Sequence, residues 1–272
     1  MRLATIRTET GTTAARTDSD TSATLLHSYA DLGALLCEPN WNELAAADGD
    51  RVDVTPADFA PLIPRPGKII CVGLNYAKHI EEMGHEKPDV PTLFIKFPEA
   101  LTGAYDDAEV PGFNAETLDF EGELAVIVGK QARHVPEADA HEYIAGYSVI
   151  NDYTQREYQK RTQQWHQGKS LEKTAGFGPW LDTEWQPGPR ITTTLNGETM
   201  QDAPTDDLVF TPAKLIEFIS HLYPLQPGDV IATGTPDGVG HARDPKRYLA
   251  DGDVVRVEIE GLGAIENTTR IY

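Results

Sequence analysis

In the segment DFEGELAVIVGK (119–130), Asp119, Glu121 and Glu123 stand at the head of an apolar run. A strand alternates its side chains, so Glu121 and Glu123 project to one face with Cα atoms ~7 Å apart. Ala125 and Ile127 continue that face toward an interior. Two ionised carboxylates at a buried edge repel each other and lose hydration, at roughly several kcal/mol each. A divalent cation removes the conflict, and hard oxygen donors suit Mg²⁺, Mn²⁺ or Ca²⁺ rather than a soft metal. Gly122 between them leaves the opposite face open for close approach. A solvated strand end is the alternative for this pair taken alone. Asp152 supplies a third carboxylate directly after another apolar strand, IAGYSVIND. Three such groups can form a facial site whose remaining positions water or substrate would fill. Asp119 would share a face with Glu121, either behind the ligands or in water.

Three other constellations carry chemistry. In GLNYAKHIEEMG (73–84), a short helix would put His79 and Glu82 at i,i+3 on one face. A carboxylate bonded to imidazole fixes its tautomer and raises its basicity, as a general base requires. A solvated polar face is the alternative. Gly73 and Gly84 at the ends suit the hinges of a mobile lid. The stretch WHQGKSLEKTAGFGPW (165–180) is punctuated by glycine and offers Lys169 and Lys173. Lys169 could meet a carboxylate or a developing enolate, or be a surface lysine; His166 reads as structural. Arg156, one helical turn after Asp152, would point to the same place and hold an anionic substrate. In LQPGDVIATGTPDGVG (225–240), Gly234, Gly238 and Gly240 let backbone crowd a ligand and Thr235 offers a hydroxyl. Neither a phosphate loop nor a serine-hydrolase elbow is present.

These residues need a scaffold. Strand signals dominate at 68–76, 92–97, 122–129, 145–151, 190–198, 229–234 and 253–261, with helices near 76–84, 137–143, 152–164 and 211–222. Asn196-Gly197 signals a hairpin, and Thr211-Pro212 a capped helix start. Strands and helices do not alternate regularly, so the fold is read as α+β and β-rich rather than doubly wound. Residues 1–65 read as a small N-terminal domain and connector, with a strand at 2–7 and a helical pattern at 25–36. Four prolines in TPADFAPLIPRPGK stiffen the join to a catalytic domain at 66–272.

With 43 acidic against 23 basic residues, the net charge of −20 offers no basic stripe for nucleic acid and disfavours an anionic membrane. Only two cysteines, no signal-like N-terminus and no membrane-length apolar run indicate a soluble cytoplasmic protein.

In order, the stretches VGLNYAKHIEEMG, TLFIKFPEALTG, DFEGELAVIVGK, GYSVINDYTQREYQ, GKS and PGDVIATGTPDGVG resemble the fumarylacetoacetate hydrolase family over residues 68–268. The resemblance implies a mixed β-sandwich roll holding Mg²⁺ or Mn²⁺ (Ca²⁺ in crystals), usually in a homodimer. It implies Glu121, Glu123 and Asp152 as metal ligands, His79 and Glu82 as the lid dyad, and Lys169 as the active-site lysine. Thr235 falls on the substrate-side threonine, with Gly234 beside it, and Arg156 and Gln159 on pocket-lining positions. Leu74 stands where several acylpyruvase-like relatives have Arg, which removes a carboxylate contact.

The implied substrate is a small-molecule 2-oxo acid with a second carbonyl or carboxylate. The favoured reaction is C–C hydrolysis of an acylpyruvate such as fumarylpyruvate, in aromatic-compound catabolism, with His79 activating water. Oxaloacetate decarboxylation, or isomerisation of 2-hydroxyhepta-2,4-diene-1,7-dioate, would use the same metal-enolate chemistry. A metal-stabilised binding protein without turnover is the alternative from another class.

Overall fold

A computed structural model describes residues 1–84 and 86–272. The fold is β-rich and mixed, as the sequence indicates. Ten strands form one path in the larger sheet. Asp50–Asp53, Ser22–Leu26, Gly11–Ser19 and Arg2–Thr8 lead from one edge to Ala175–Asp182, Ile144–Asn151 and Gly122–Val128. Val230–Ala232, Ile69–Gly73 and the edge strand Thr92–Lys96 complete it. The N-terminal strands thus extend the same sheet, joined through antiparallel pairing of Leu3 with Leu181. A second, five-stranded sheet contains Arg190–Leu195, Val254–Ile259 and Gly263–Ile271.

The two sheets stack through Gly122–Val128, which lies against Arg190–Leu195 and Val254–Ile259. Every residue of Gly122–Val128 is buried, so this strand is apolar on both faces. Leu124, Val126 and Val128 enter the core shared with Val255, Val257 and Ile265. Ala125 and Ile127 enter a separate core with Cys71, Ile150 and Ala232. The close approach expected at Gly122 is present. A Cβ there would collide with Thr193 Oγ1 and lie 2.8 Å from Val257 Cγ1. Changing Gly122 to Ala is expected to destabilise the fold by about 1–3 kcal/mol, because backbone and β-branched neighbours must move. Thermal melting checks this; an unchanged Tm would refute the tight sheet contact.

Local signals met tertiary context with mixed results. Asn196 and Gly197 take φ of 51° and 85° in the hairpin between Arg190–Leu195 and Glu198–Pro204. Thr211 caps the helix Pro212–Leu222 by accepting from Lys214 N. The helical pattern at 25–36 is corrected: Leu25 and Leu26 pair with Ala15 and Ala14 in a strand, and the helix is only Leu32–Leu36. Asp31 starts it by accepting from Ala34 N at 2.8 Å. The helix expected at 152–164 also shrinks, to Arg156–Arg161. Thr154 and Gln155 are extended instead and pair with Asp119 and Leu118. Arg156 is therefore not one helical turn from Asp152. The segment expected as a helix at 137–143 is a 3-10 helix, Glu137–Tyr143. No helix among the described residues is long and apolar enough to cross a membrane. Cys37 and Cys71 are both free.

Candidate active site and metal centre

Sheet register assembles the carboxylates. Gly122 pairs with Asn151 in antiparallel fashion, and Asp152 N donates to Glu121 O at 2.8 Å. Asp152 is thereby the cross-strand neighbour of Glu121, and Glu123 follows on the same face two residues on. On the other flank Ala125 pairs with Ala232, which brings Gly234 beside Glu123. One oxygen from each of Glu121, Glu123 and Asp152 lies within 4.8 Å of the others, and all three residues are buried.

The cations around them are also buried. Lys169 Nζ donates to Glu121 Oε2 at 2.6 Å and to Asp152 Oδ2 at 2.8 Å. Lys96 Nζ lies 2.8 Å from Asp152 Oδ1. Arg156 reaches Glu121 Oε1 at 2.6 Å and donates from Nε to Asp119 Oδ2 at 2.8 Å. Asp119 is neither solvated nor a ligand. It accepts from Gly240 N at 2.8 Å and His241 N at 2.9 Å, tying Arg156 to the glycine-rich loop.

Glu121 and Glu123 differ in compensation. Burial alone would raise Glu121, but the charges of Lys169, Arg156 and His79 outweigh it and bring the carboxyl down to about 2. Glu123 is raised well above its usual range, first by burial and then by Asp152 and Glu121. Its carboxyl oxygen Oε2 accepts from Gly234 N at 2.8 Å. Gly234 provides this N–H from a left-handed φ of 98°, where a Cβ would lie 2.9 Å from Val72 O. Burial would lower Lys169, yet Asp152 and Glu121 raise it, so the ammonium stays charged.

Four buried carboxylates here face three buried cations, Lys96, Arg156 and Lys169. The surplus negative charge is concentrated at Glu123. Three hard oxygen donors and an uncompensated carboxylate fit a divalent ion of the Mg²⁺ or Mn²⁺ type. A carboxyl raised on folding binds a proton that the unfolded chain has released. Stability without the ion therefore falls as pH climbs above the unfolded value of about 4.3. An ion displaces that proton, so its stabilising effect must grow with pH. Melting with and without Mn²⁺ should show a larger upward shift at about pH 8 than at about pH 5.5. Equal shifts would contradict a Glu123 carboxyl raised by burial and its acidic neighbours.

Above the carboxylates opens a cavity of about 460 Å³, lined by His79, Glu121, Glu123, Arg156, Gln159, Lys169 and Thr235, among others. His79 sits on the helix Ala77–Glu82, with Nδ1 3.2 Å from Glu82 Oε2. Glu82 also accepts from Gly238 N at 3.0 Å, so the dyad is fastened to the glycine loop. Leu74, also on the wall, takes a left-handed φ of 57° at the entry to that helix. Such strain in a residue with a Cβ persists only where the surroundings impose it. His85 lies outside the described residues.

Some expected substrate contacts are otherwise engaged. The Arg156 guanidinium is turned onto Asp119, Glu121 and Gln159 Oε1, the last at 3.2 Å. Thr235 donates its hydroxyl to Gly122 O at 2.9 Å and accepts from Gln201 Nε2 at 2.7 Å. Their geometry places them as supports of the carboxylate-bearing strand. Lys96, Gln201, Phe94 and Trp165 escaped sequence reasoning. A lysine inside the apolar run TLFIKF was the available signal for Lys96. Phe94 and Trp165 meet edge to face at 5.5 Å and form an aromatic wall of the cavity. His166 packs edge to face against Phe97.

The description fumarylacetoacetate (FAA) hydrolase C-terminal matches residues 68–270. The chain belongs to the fumarylacetoacetate hydrolase family. Its relatives within that family differ in activity. A mitochondrial oxaloacetate tautomerase of Rattus norvegicus is 40% identical over 214 residues, 77% of this chain and 68% of that protein. A fumarylacetoacetate hydrolase structure from Exiguobacterium antarcticum superposes with a TM-score of 0.88 at 32% identity, covering all of both chains. A 2-hydroxyhepta-2,4-diene-1,7-dioate isomerase from Mycobacterium marinum gives 0.78 at 28% identity, covering 100% of this chain and 98% of that one. The β-rich roll and buried acidic triad are thus those of a fumarylacetoacetate hydrolase family enzyme.

Proposed function

We propose that this enzyme interconverts the keto and enol forms of a 2-oxo acid bearing a second carboxylate, with oxaloacetate as the representative substrate. The observation that carries this reading is that one cavity is lined by both the carboxylate triad and the His79–Glu82 pair. A Lewis-acid site beside a general base is what proton removal next to a carbonyl requires. The named activity of the rat relative supports the same choice.

Glu121, Glu123 and Asp152 would hold Mg²⁺ or Mn²⁺, which when bound polarises the 2-oxo group and acidifies the C3–H. His79, with Nδ1 directed to Glu82, has Nε2 left to take a proton from C3 and to return one. Lys169, kept cationic by Glu121 and Asp152, faces the negative charge that develops on the C2 oxygen. Phe94 and Trp165 exclude water along one wall, which strengthens these charge interactions. The catalytic unit is residues 66–272, with 1–65 a smaller unit docked on its sheet edge. The enzyme works as a cytoplasmic homodimer, which sedimentation would check.

Hydrolysis of an acylpyruvate such as fumarylpyruvate is the second reading. The His79–Glu82 pair favours it, because activating water makes the same demand on a base. Decay of the enol absorbance of oxaloacetate, in weak buffer with Mn²⁺, separates the two. Acceleration abolished by a chelator supports the tautomerase. Cleavage of fumarylpyruvate to pyruvate without that acceleration supports the hydrolase. Activity on either substrate in excess chelator would remove the metal from both.

A further inference from the structure

The cations of the cavity fall into two groups. Arg156 and Lys169 are each paired with two of the enzyme's own carboxylates. Lys160 lines the mouth of the same cavity, is exposed to solvent and, among the described residues, has no carboxylate partner. Its near neighbours are basic. Nζ contacts His241 Nε2, and the charges of Lys246 and Arg156, after burial, hold the amine below its usual range.

His241 is itself neutral in this setting. Burial, then Lys160, Arg156 and Lys246, push its imidazole down to about 4. An Nε2 that accepts from the ammonium leaves the ring proton on Nδ1, which donates to Tyr248 OH at 2.6 Å. The backbone N–H of His241 is fixed on Asp119 Oδ2 at 2.9 Å. His241 is thus a rigid strut that aims Lys160 without neutralising it. In a chain of net charge −20, an unpaired cation held among cations is set apart from its surroundings. An arriving anion relieves that repulsion.

We infer that Lys160, positioned by His241, is the receptor for the distal carboxylate of the substrate, making the cavity selective for 2-oxo dicarboxylates over 2-oxo monocarboxylates. This rests on the 2-oxo acid reading above and deepens it. The triad end of the cavity takes the 2-oxo acid, and the Lys160 end takes the second charge.

The test uses Mg²⁺-loaded protein and two stable probes, 2-oxoglutarate and 2-oxobutyrate, titrated calorimetrically against wild type, K160M and K160R. K160M should weaken 2-oxoglutarate about tenfold or more, as expected for loss of a charge-assisted bond. It should leave 2-oxobutyrate within about twofold, and K160R should restore most of the difference. Equal losses for both probes, or none, would overturn the assignment. Binding needs no turnover, so the proposed reaction is judged separately. For oxaloacetate, K160M should raise KM and spare kcat. Selective binding with no tautomerisation would keep the anion subsite and discard the tautomerase. Tautomerisation with no selectivity would do the reverse.

Discussion

Replacing Glu123 with Gln is expected to abolish turnover while leaving the ion-free protein as stable as before, or more so. The amide is nearly isosteric and its oxygen can still accept from Gly234 N, the hydrogen bond that Glu123 makes now. What disappears is a carboxyl whose ionisation burial, Asp152 and Glu121 all oppose. Replacing such a group by a neutral isostere, without opening a cavity, costs little and can stabilise. Metal affinity should collapse, since one of three anionic ligands is gone, and with it at least about three orders of magnitude in kcat/KM. The same substitution two residues earlier should behave in the opposite way in melting. Gln at 121 would leave Arg156 and Lys169 facing a neutral group, and breaking such buried pairs costs about 3–5 kcal/mol. At about 2–4 °C per kcal/mol, its Tm should drop on the order of 10 °C. Calorimetric melting of both variants with and without Mn²⁺ checks the pair. Similar melting of the two would show that the contrast in compensation is not real.

Replacing His79 with Ala should lower kcat by about two to four orders of magnitude, the usual worth of a positioned general base, and leave metal affinity within a few-fold. His79 and the triad share the cavity, but the imidazole bonds to Glu82, not to a carboxylate of the triad. Loss of the imidazole would affect Glu121 only modestly, because Lys169 and Arg156 act on it more strongly. Changing Glu82 to Gln should have a smaller effect, since the amide oxygen can still orient Nδ1 but no longer stabilises a protonated ring. Turnover measured beside Mn²⁺ titration separates base from ligand. A His79→Ala enzyme that loses its metal would place His79 in the metal centre.

What could be read from sequence was what depends on strand periodicity. Glu121 and Glu123 share a face because side chains alternate, and the burial of that face follows from Ala125 and Ile127. The role of Gly122 in sheet contact follows from the same alternation. The juxtaposition of Asp152 with Glu121 needs register, which the strand-end position of each suggests and the pairing of Gly122 with Asn151 fixes. Lys96 shows the limit. Its contact with Asp152 depends on the placing of the edge strand Thr92–Lys96 next to Ile69–Gly73, a choice local sequence does not encode. Two segments with helical spacing are strands in part for a related reason. Leu25 and Leu26 carry helical spacing but find strand partners, and Thr154 and Gln155 are drawn out to pair with Asp119 and Leu118. Arg156 follows Asp152 closely in sequence but faces Glu121 and Asp119.

The central claim is that Glu121, Glu123 and Asp152 gather one divalent ion at the foot of the cavity. Crystals grown with Mn²⁺ and measured near the manganese absorption edge test it directly. The account predicts one strong anomalous peak within about 2.0–2.4 Å of an oxygen from each of the three carboxylates. A peak elsewhere, or three carboxylates held only by Lys96, Arg156 and Lys169 at saturating Mn²⁺, would contradict it.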